Sequence, residues 1–305
     1  MKKRILITGA TGLIGTHLCK ELSARGDILT AFTRDPEKAR IKLPFVNEFV
    51  QWNYKKPEEW KNHLNKKNAV IHLAGANLFA KRWTEDYKKK IIDSREITTQ
   101  NIAESFSEVE IKPKVFICAS ATGYYGDSGE RDLVESLPPG NSFTAEVCKR
   151  WEAAAIEVEK FGVRRVSLRT ATVFNKGKGA IKNMALPFKF FVGGTLGNGQ
   201  QWFPWIHIKD LVRIYLFAID NEKVNGSVNA ASPHQIRMKE LTDEIGRVLH
   251  RPSIFKVPGF ALKIALGEFA DELLVSLKVV PKKLEENNFN FLFGDLRSAL
   301  TDLIR

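Results

Sequence analysis

The chain has 305 residues, of which 44% are hydrophobic and 27% charged, an ordinary balance for a soluble protein with one or two domains and a large core. No window approaches the ~20 unbroken apolar residues that a membrane span needs, and Cys19, Cys118 and Cys148 lie too far apart for a zinc site or a disulfide framework. The formal charge of +12 comes from lysines and arginines scattered along helices, with no recognised nucleic-acid module, so a solvated basic surface is expected, with which a pocket for an anionic ligand is compatible, and a nucleic-acid partner is not expected.

The first stretch, Met1 to Thr16, organises the rest. Ile5-Leu6-Ile7 is a short apolar run bounded by Thr8-Gly9, which predicts a buried strand. The same Thr8-Gly9 breaks the run too early for a signal peptide. Glycines follow at Gly9, Gly12 and Gly15, and the residues from Leu13 to Leu22 have helical spacing. A strand, a glycine turn and a helix form the context in which backbone can approach a pyrophosphate seated on a helix N-terminus. Gly9, Thr11, Gly12, Leu13, Ile14 and Gly15 are therefore candidate cofactor-binding residues.

Ile28 to Thr33 predicts the second strand, whose end decides which dinucleotide suits the turn. Asp35, about twenty residues beyond Gly15, suits the acid that holds the ribose hydroxyls of NAD. Followed by Pro36 and Glu37, it also suits a helix N-cap. Thr33 and Arg34 would then meet a 2′-phosphate, because a guanidinium matches phosphate geometry. On balance NADP is expected in preference to NAD.

Further along, strands are expected at 49–52, 69–75, 115–120, 164–169 and 225–230, with helices at 57–66, 84–106, 142–161 and 239–249. The Lys88-Lys89-Lys90 run reads as a solvated helix face. The loop after the fifth strand offers Ser120, Tyr124 and Tyr125 at the sheet edge where ligands bind. Beyond Phe174 glycine turns multiply, which marks the passage into a second domain. The expected architecture is α/β: a Rossmann-type doubly wound parallel sheet with a smaller C-terminal α/β substrate domain. Residues 1–175 form the NADP-binding domain, to which the chain returns around 203–232, and residues 176–305 form the substrate domain.

Taken together, GATGLIG, HLAGANL with Arg82-Trp83, SREITT, SATGYYG, Trp151-Glu152-Ala153-Ala154, QWFPWIHIKDL and Ala270-Asp271-Glu272-Leu273-Leu274 carry a resemblance. The chain resembles the extended short-chain dehydrogenase/reductase superfamily of the NAD-dependent epimerase/dehydratase type. Within it, the chain resembles the epimerase-family subgroup that has its own C-terminal domain of unknown function. The resemblance implies that Leu73, Ala74 and Gly75 pass beneath the cofactor. It makes His207 a structural residue near a helix start. It also implies a Tyr-x-x-x-Lys pair on the helix at 142–161, in which lysine lowers the tyrosine pKa for proton transfer. Counting back from Arg169 by the family's spacing puts Phe143 in the tyrosine slot and Val147 in the lysine slot. Neither can move a proton. Ser120 alone stays in register, and Tyr125 (or Tyr124) becomes the replacement acid/base candidate.

The expected site therefore has Ser120 and Tyr125 as catalytic residues, and Arg82, Arg95 and Tyr124 as contacts to a small, anionic substrate. Cys148 reads as an inert helix cysteine. The cofactor set is Gly9 to Gly15 with Thr33, Arg34, Leu73, Ala74 and Gly75, and no metal is expected. An NADP-dependent oxidoreductase or epimerase is favoured over a non-catalytic NADP(H) sensor. The remaining expectations are a cytoplasmic homodimer without a membrane partner.

Overall fold

Buried parallel strands are apolar on both faces, and the short aliphatic runs behave accordingly in a computed structural model, which describes residues 2–304. The strands β1 (Arg4–Thr8), β2 (Ile28–Thr33), β3 (Glu48–Gln51), β4 (Ala69–His72), β5 (Val115–Ala121), β6 (Arg164–Thr170) and β7 (Gly226–Ala230) form one 7-stranded sheet. All its pairings are parallel, in the order β7-β6-β5-β4-β1-β2-β3. The two-residue period of a strand sends Ile5 and Ile7 to one core and Leu6 to the other. The first core is closed by α1 (Leu13–Ala24) and, through Leu211, Ile214 and Tyr215, by a helix that returns from much later in the chain. The second core is closed through Ile102 and Trp151 of two central helices. The expected doubly wound sheet is present, and its order reverses between β1 and β4, which opens a crevice beyond their carboxyl ends.

The helices follow local signals. Asp35 caps α2 (Pro36–Lys42), accepting from the Lys38 amide at 3.1 Å, with Pro36 at the first helical position. Thr84 caps α3 (Glu85–Ser105) and Ser142 caps α4 (Phe143–Ile156) in the same way. Two expectations need correction. Residues 57–66 make two 3₁₀ turns instead of a helix, because Trp60 is drawn wholly into the core with its indole N–H on the Asn53 carbonyl. The helix expected to Phe161 ends at Ile156 and runs on as a 3₁₀ turn, stopped by Gly162 at φ +72°.

Past β6 the chain leaves the sheet. It adds α5 (Ala180–Lys189), returns through α6 (Ile208–Asp220) and β7, and leaves again. The outer part has its own core, in which Phe174, Phe188 and Trp205 meet Leu241 of α7 (Met238–Leu249). Leu300, near the C-terminus, completes it. His207 caps α6, accepting from the Lys209 amide at 3.1 Å, while its ring stacks 3.9 Å from Phe293. Burial lowers its pKa and keeps it neutral in this structural place. Asp210, one turn on, accepts from the Leu292 and Phe293 amides and ties the tail to the sheet domain. Residues 257–274 then fold back over the crevice as α8 (Gly259–Leu266) and α9 (Phe269–Leu274).

Candidate functional site

The turn between β1 and α1 is shaped by what it leaves out. Gly9 sits at φ +68°, and a Cβ on it would come within 2.9 Å of the Leu73 carbonyl carbon. A Cβ on Gly15 would lie 2.7 Å from Ala10 Cα and nearer still to the Gly9 carbonyl oxygen. The Gly12 amide closes the turn on the Gly9 carbonyl at 3.0 Å. No side chain caps α1 and no acid stands in its first turn. Its first amides therefore present partial positive charge next to close-packed glycine backbone, with the Lys42 ammonium on the Thr11 carbonyl at 2.7 Å, a cradle suited to a pyrophosphate.

Both edges of that cradle are pinned by buried hydrogen bonds. The Thr8 hydroxyl lies 2.7 Å from His72 Nδ1 and accepts from the Leu73 and Ala74 amides. His72 Nε2 lies 3.1 Å from the Thr98 hydroxyl, which itself donates to the Ser94 carbonyl. That order requires Nε2–H to donate and Nδ1 to accept. Burial, reinforced by the Arg95 cation, pushes the ring's pKa down to about 3, so it is neutral. The Leu73-Ala74-Gly75 turn is thus fixed against Gly9. At the end of β2, Asp35 is occupied with its cap and with Lys38 Nζ at 2.9 Å. Arg34 is exposed beside it and makes no ion pair among the described residues.

At the end of β5, Ser120 is buried and donates to Glu152 Oε1 at 2.7 Å. Glu152, on α4, also receives Arg169 at both oxygens (2.9 Å each) and the Ser227 hydroxyl at 2.7 Å. Burial opposes the Arg169 charge, but the Glu152 carboxylate overcomes it and the guanidinium stays firmly protonated. Arg169 further donates to the Tyr125 hydroxyl at 3.0 Å and stacks 3.4 Å from the Tyr124 ring. Tyr125 is buried and donates to Asn229 Oδ1 at 2.7 Å. Burial pushes its phenol up to about 12 against the pull of Arg169. Four sequence candidates or anchors (Ser120, Tyr124, Tyr125 and Arg169) therefore meet, around a carboxylate that the sequence did not single out. In this arrangement the Ser120 proton faces Glu152, and the Tyr125 hydroxyl is occupied on both sides.

The slots left by the missing pair are filled by packing. Val147 is buried with Tyr87 and Ile91, and Phe143 lies edge-on to Trp83 at 5.0 Å. The next residue, Thr144, brings a hydroxyl close to Gly123, where a Cβ would stand 3.0 Å from its Oγ1. Thr144 donates at 2.8 Å to Glu272, which α9 carries in from the outer domain. Burial raises the Glu272 pKa against the Thr144 bond, and it has no cation within ion-pair distance among the described residues. α9 is held there by Phe269 on Phe79 and Trp83 (4.5 and 5.7 Å) and by Glu268 on Lys88 at 2.6 Å. Sequence reasoning missed Glu272 in this place. Its signals in the sequence were its place in the Ala270-Asp271-Glu272-Leu273-Leu274 segment of the resemblance and the pair of acids it makes with Asp271 in a helical run.

The arginines go elsewhere. Arg95 is buried, donates to the Ile91 and Ala76 carbonyls at 3.1 and 3.0 Å, and lies 5.0 Å from the Trp151 ring, so it supports the turn after β4 from below. Arg82 is exposed and donates to the Ile264 carbonyl of α8 at 3.0 Å. Cys148 is buried against the Ala121 carbonyl, and burial pushes its thiol up to about 12, which leaves no thiolate for chemistry. The described residues contain no cluster able to hold a metal ion and no helix long and apolar enough to cross a membrane.

Comparison with known proteins agrees with this geometry. Residues 5–231 match the NAD dependent epimerase/dehydratase family, and residues 257–303 match a domain of unknown function, DUF1731. An epimerase family protein of Staphylococcus haemolyticus, SH2119, is 40% identical over 304 residues, covering 99% of both chains. A chloroplastic SDR39U1 homolog of Arabidopsis thaliana is 37% identical, covering 99% of this chain and 86% of its own. The crystal structure of human epimerase family protein SDR39U1 (isoform 2) with NADPH superposes with a TM-score of 0.86 at 30% identity, covering 98% of each chain. With the glycine cradle, the parallel sheet and both halves of the chain matched, this protein belongs to the NAD-dependent epimerase/dehydratase family, in the group that carries the DUF1731 domain.

Proposed function

We propose that this protein is an NADP(H)-dependent oxidoreductase or epimerase in which the Thr144–Glu272 pair does the proton work that a tyrosine and a lysine do elsewhere in the superfamily. The observation that carries this is the placement of Glu272. A half-buried carboxyl with no cation within ion-pair distance among the described residues, its pKa raised by burial, is delivered to Thr144, which follows Phe143 and packs on Gly123 at the carboxyl edge of the sheet. A carboxyl whose pKa burial raises, placed beside a hydroxyl, suits an acid/base. Gly9 to Gly15 and Leu73 to Gly75 would hold the dinucleotide, and Thr33 and Arg34 its 2′-phosphate. When bound, NADP(H) supplies the hydride chemistry. The chain supplies a fixed turn, an aromatic wall of Trp83, Phe143 and Phe269, and a proton at a Glu272 oxygen. Ser120 and Tyr125 keep the Glu152–Arg169 hub rigid under that floor.

Two measurements test this. Calorimetric titration should give NADPH at least about tenfold tighter binding than NADH, with the difference removed by Arg34→Ala. Equal affinities in the unaltered protein would refute the 2′-phosphate assignment. A panel of ketones, aldehydes and nucleotide sugars should then yield turnover that Glu272→Gln lowers by about 10²–10⁴ without weakening NADPH binding. Turnover indifferent to that change would remove Glu272 from the chemistry.

A further inference from the structure

We propose that the corner of the outer domain formed by the end of α5 and the strand Phe255–Val257 is a docking face for an anionic lipid surface. It carries large apolar side chains that fold into nothing. Phe190 is 70% exposed, Phe191 57%, Ile254 72% and Phe255 48%. They are contiguous: Gly194–Leu196 pairs in parallel with Phe255–Val257, the Phe255 amide donates to the Gly193 carbonyl, and Arg251 stacks 4.4 Å from the Phe191 ring. Apolar clusters of this kind on a soluble chain mark an interaction surface. α8 follows directly and exposes Phe260 and Ile264, four residues apart and so on one helix face.

The backbone points the same way. Phe191 is held at φ +62°, a left-handed conformation that a bulky side chain adopts only under strain. The turn is closed by the Phe191 amide on the Phe188 carbonyl and the Val192 amide on the Pro187 carbonyl. Its effect is to hold a phenyl ring at the surface, with Arg251 over it and more than half of it in solvent.

Charge selects the partner. Between Glu159 and Asp210, and again between Glu244 and Glu268, the sequence contains no acidic residue. These two acid-free segments are the ones that meet in this corner. Lys189 and Lys256 are exposed there without an ion pair among the described residues, and Arg251 is exposed beside them. A second copy of the chain docking by the same face would set these cations against their own images, with no acid from either segment to meet. A bilayer with anionic headgroups offers both complements: phosphates for the rim of cations, and the acyl boundary for the aromatic centre.

The test is flotation of the full chain with vesicles of phosphatidylcholine alone and of two parts phosphatidylcholine to one part phosphatidylglycerol. The expected result is recovery with the anionic vesicles, at least about tenfold less with the neutral ones, and loss at high salt. Phe191→Gly with Ile254→Ser should lower recovery on anionic vesicles about tenfold or more. Lys189→Gln with Arg251→Gln should erase the preference for the anionic ones. All four positions are exposed, so an unchanged melting temperature and NADPH affinity will report intact folding. The proposal is overturned by no recovery with either vesicle, by equal recovery with both, or by variants that float like the parent. It is also overturned if sedimentation equilibrium shows a dimer that Phe191→Gly abolishes.

Discussion

The Thr144 hydroxyl donates a 2.8 Å hydrogen bond to the Glu272 carboxylate, joining the first turn of α4 to a helix of the C-terminal domain. Burial, opposed by that bond and aided by the nearby Asp271, raises the pKa of Glu272 above its ordinary 4.5. A carboxyl raised on folding contributes stability that is complete below 4.5 and is lost as pH climbs through the folded value. Glu272→Gln should therefore melt like the parent in acid and gain on it as pH rises past that window. Melting curves of both proteins across acid and neutral pH decide this, and parallel curves would mean that the carboxyl is not perturbed.

His72 has the opposite sign. Its pKa falls from 6.5 to about 3 on folding. Its contribution is present above 6.5, declines as pH drops below that value and is gone near 3. Denaturation of His72→Gln against the parent should show a stability gap at neutral pH that narrows on acidification. A gap independent of pH would remove the buried neutral imidazole from the account.

Arg169 and Glu152 form a buried pair with side-chain exposures of 3% and 8%. Arg169→Met leaves a carboxylate without its cation and should cost about 3–5 kcal/mol in chemical denaturation. Adding Glu152→Leu to that variant should recover part of the loss, because the stranded charge is then gone. Strict additivity of the two changes would show that they are not coupled.

Tyr125→Phe separates structure from catalysis. It strips one bond from Asn229 and one from Arg169 in a buried setting, which should cost about 1–3 kcal/mol. NADPH affinity and any turnover, measured below the lowered melting temperature, should stay within about twofold of the parent. A collapse of turnover with stability intact would return Tyr125 to the reacting centre.

Gly15→Ala places a methyl group 2.7 Å from Ala10 Cα and against the Gly9 carbonyl, all of it backbone. The turn must open to admit it, so NADPH binding should weaken at least about tenfold, or about 1.4 kcal/mol. Gly26→Ala, where nothing lies within 4 Å, should leave NADPH affinity unchanged despite its left-handed backbone, and titration of both variants makes the comparison.

What the sequence by itself determined is what neighbouring residues decide together. Ile5 to Gly15 makes a strand, a turn and a helix through contacts within a few residues, and Asp35-Pro36 makes a cap for the same reason. Phe143 and Val147 are legible as absences, since no fold can give a phenyl or an isopropyl group a transferable proton. A parallel sheet follows from alternating strands and helices, but its strand order does not. Tertiary structure decided the rest, because it depends on partners far apart in the chain. Glu152 gathers Ser120, Arg169 and Ser227 from three different strands. Tyr125 looks like a free phenol in its loop until Asn229 closes over it. Glu272 is one more acid in an apolar tail until α9 docks through Phe269 and carries it across 128 residues of sequence to Thr144. Burial, which raises the Tyr125 and Glu272 pKa values, is a property of the packed molecule and has no local sequence signature.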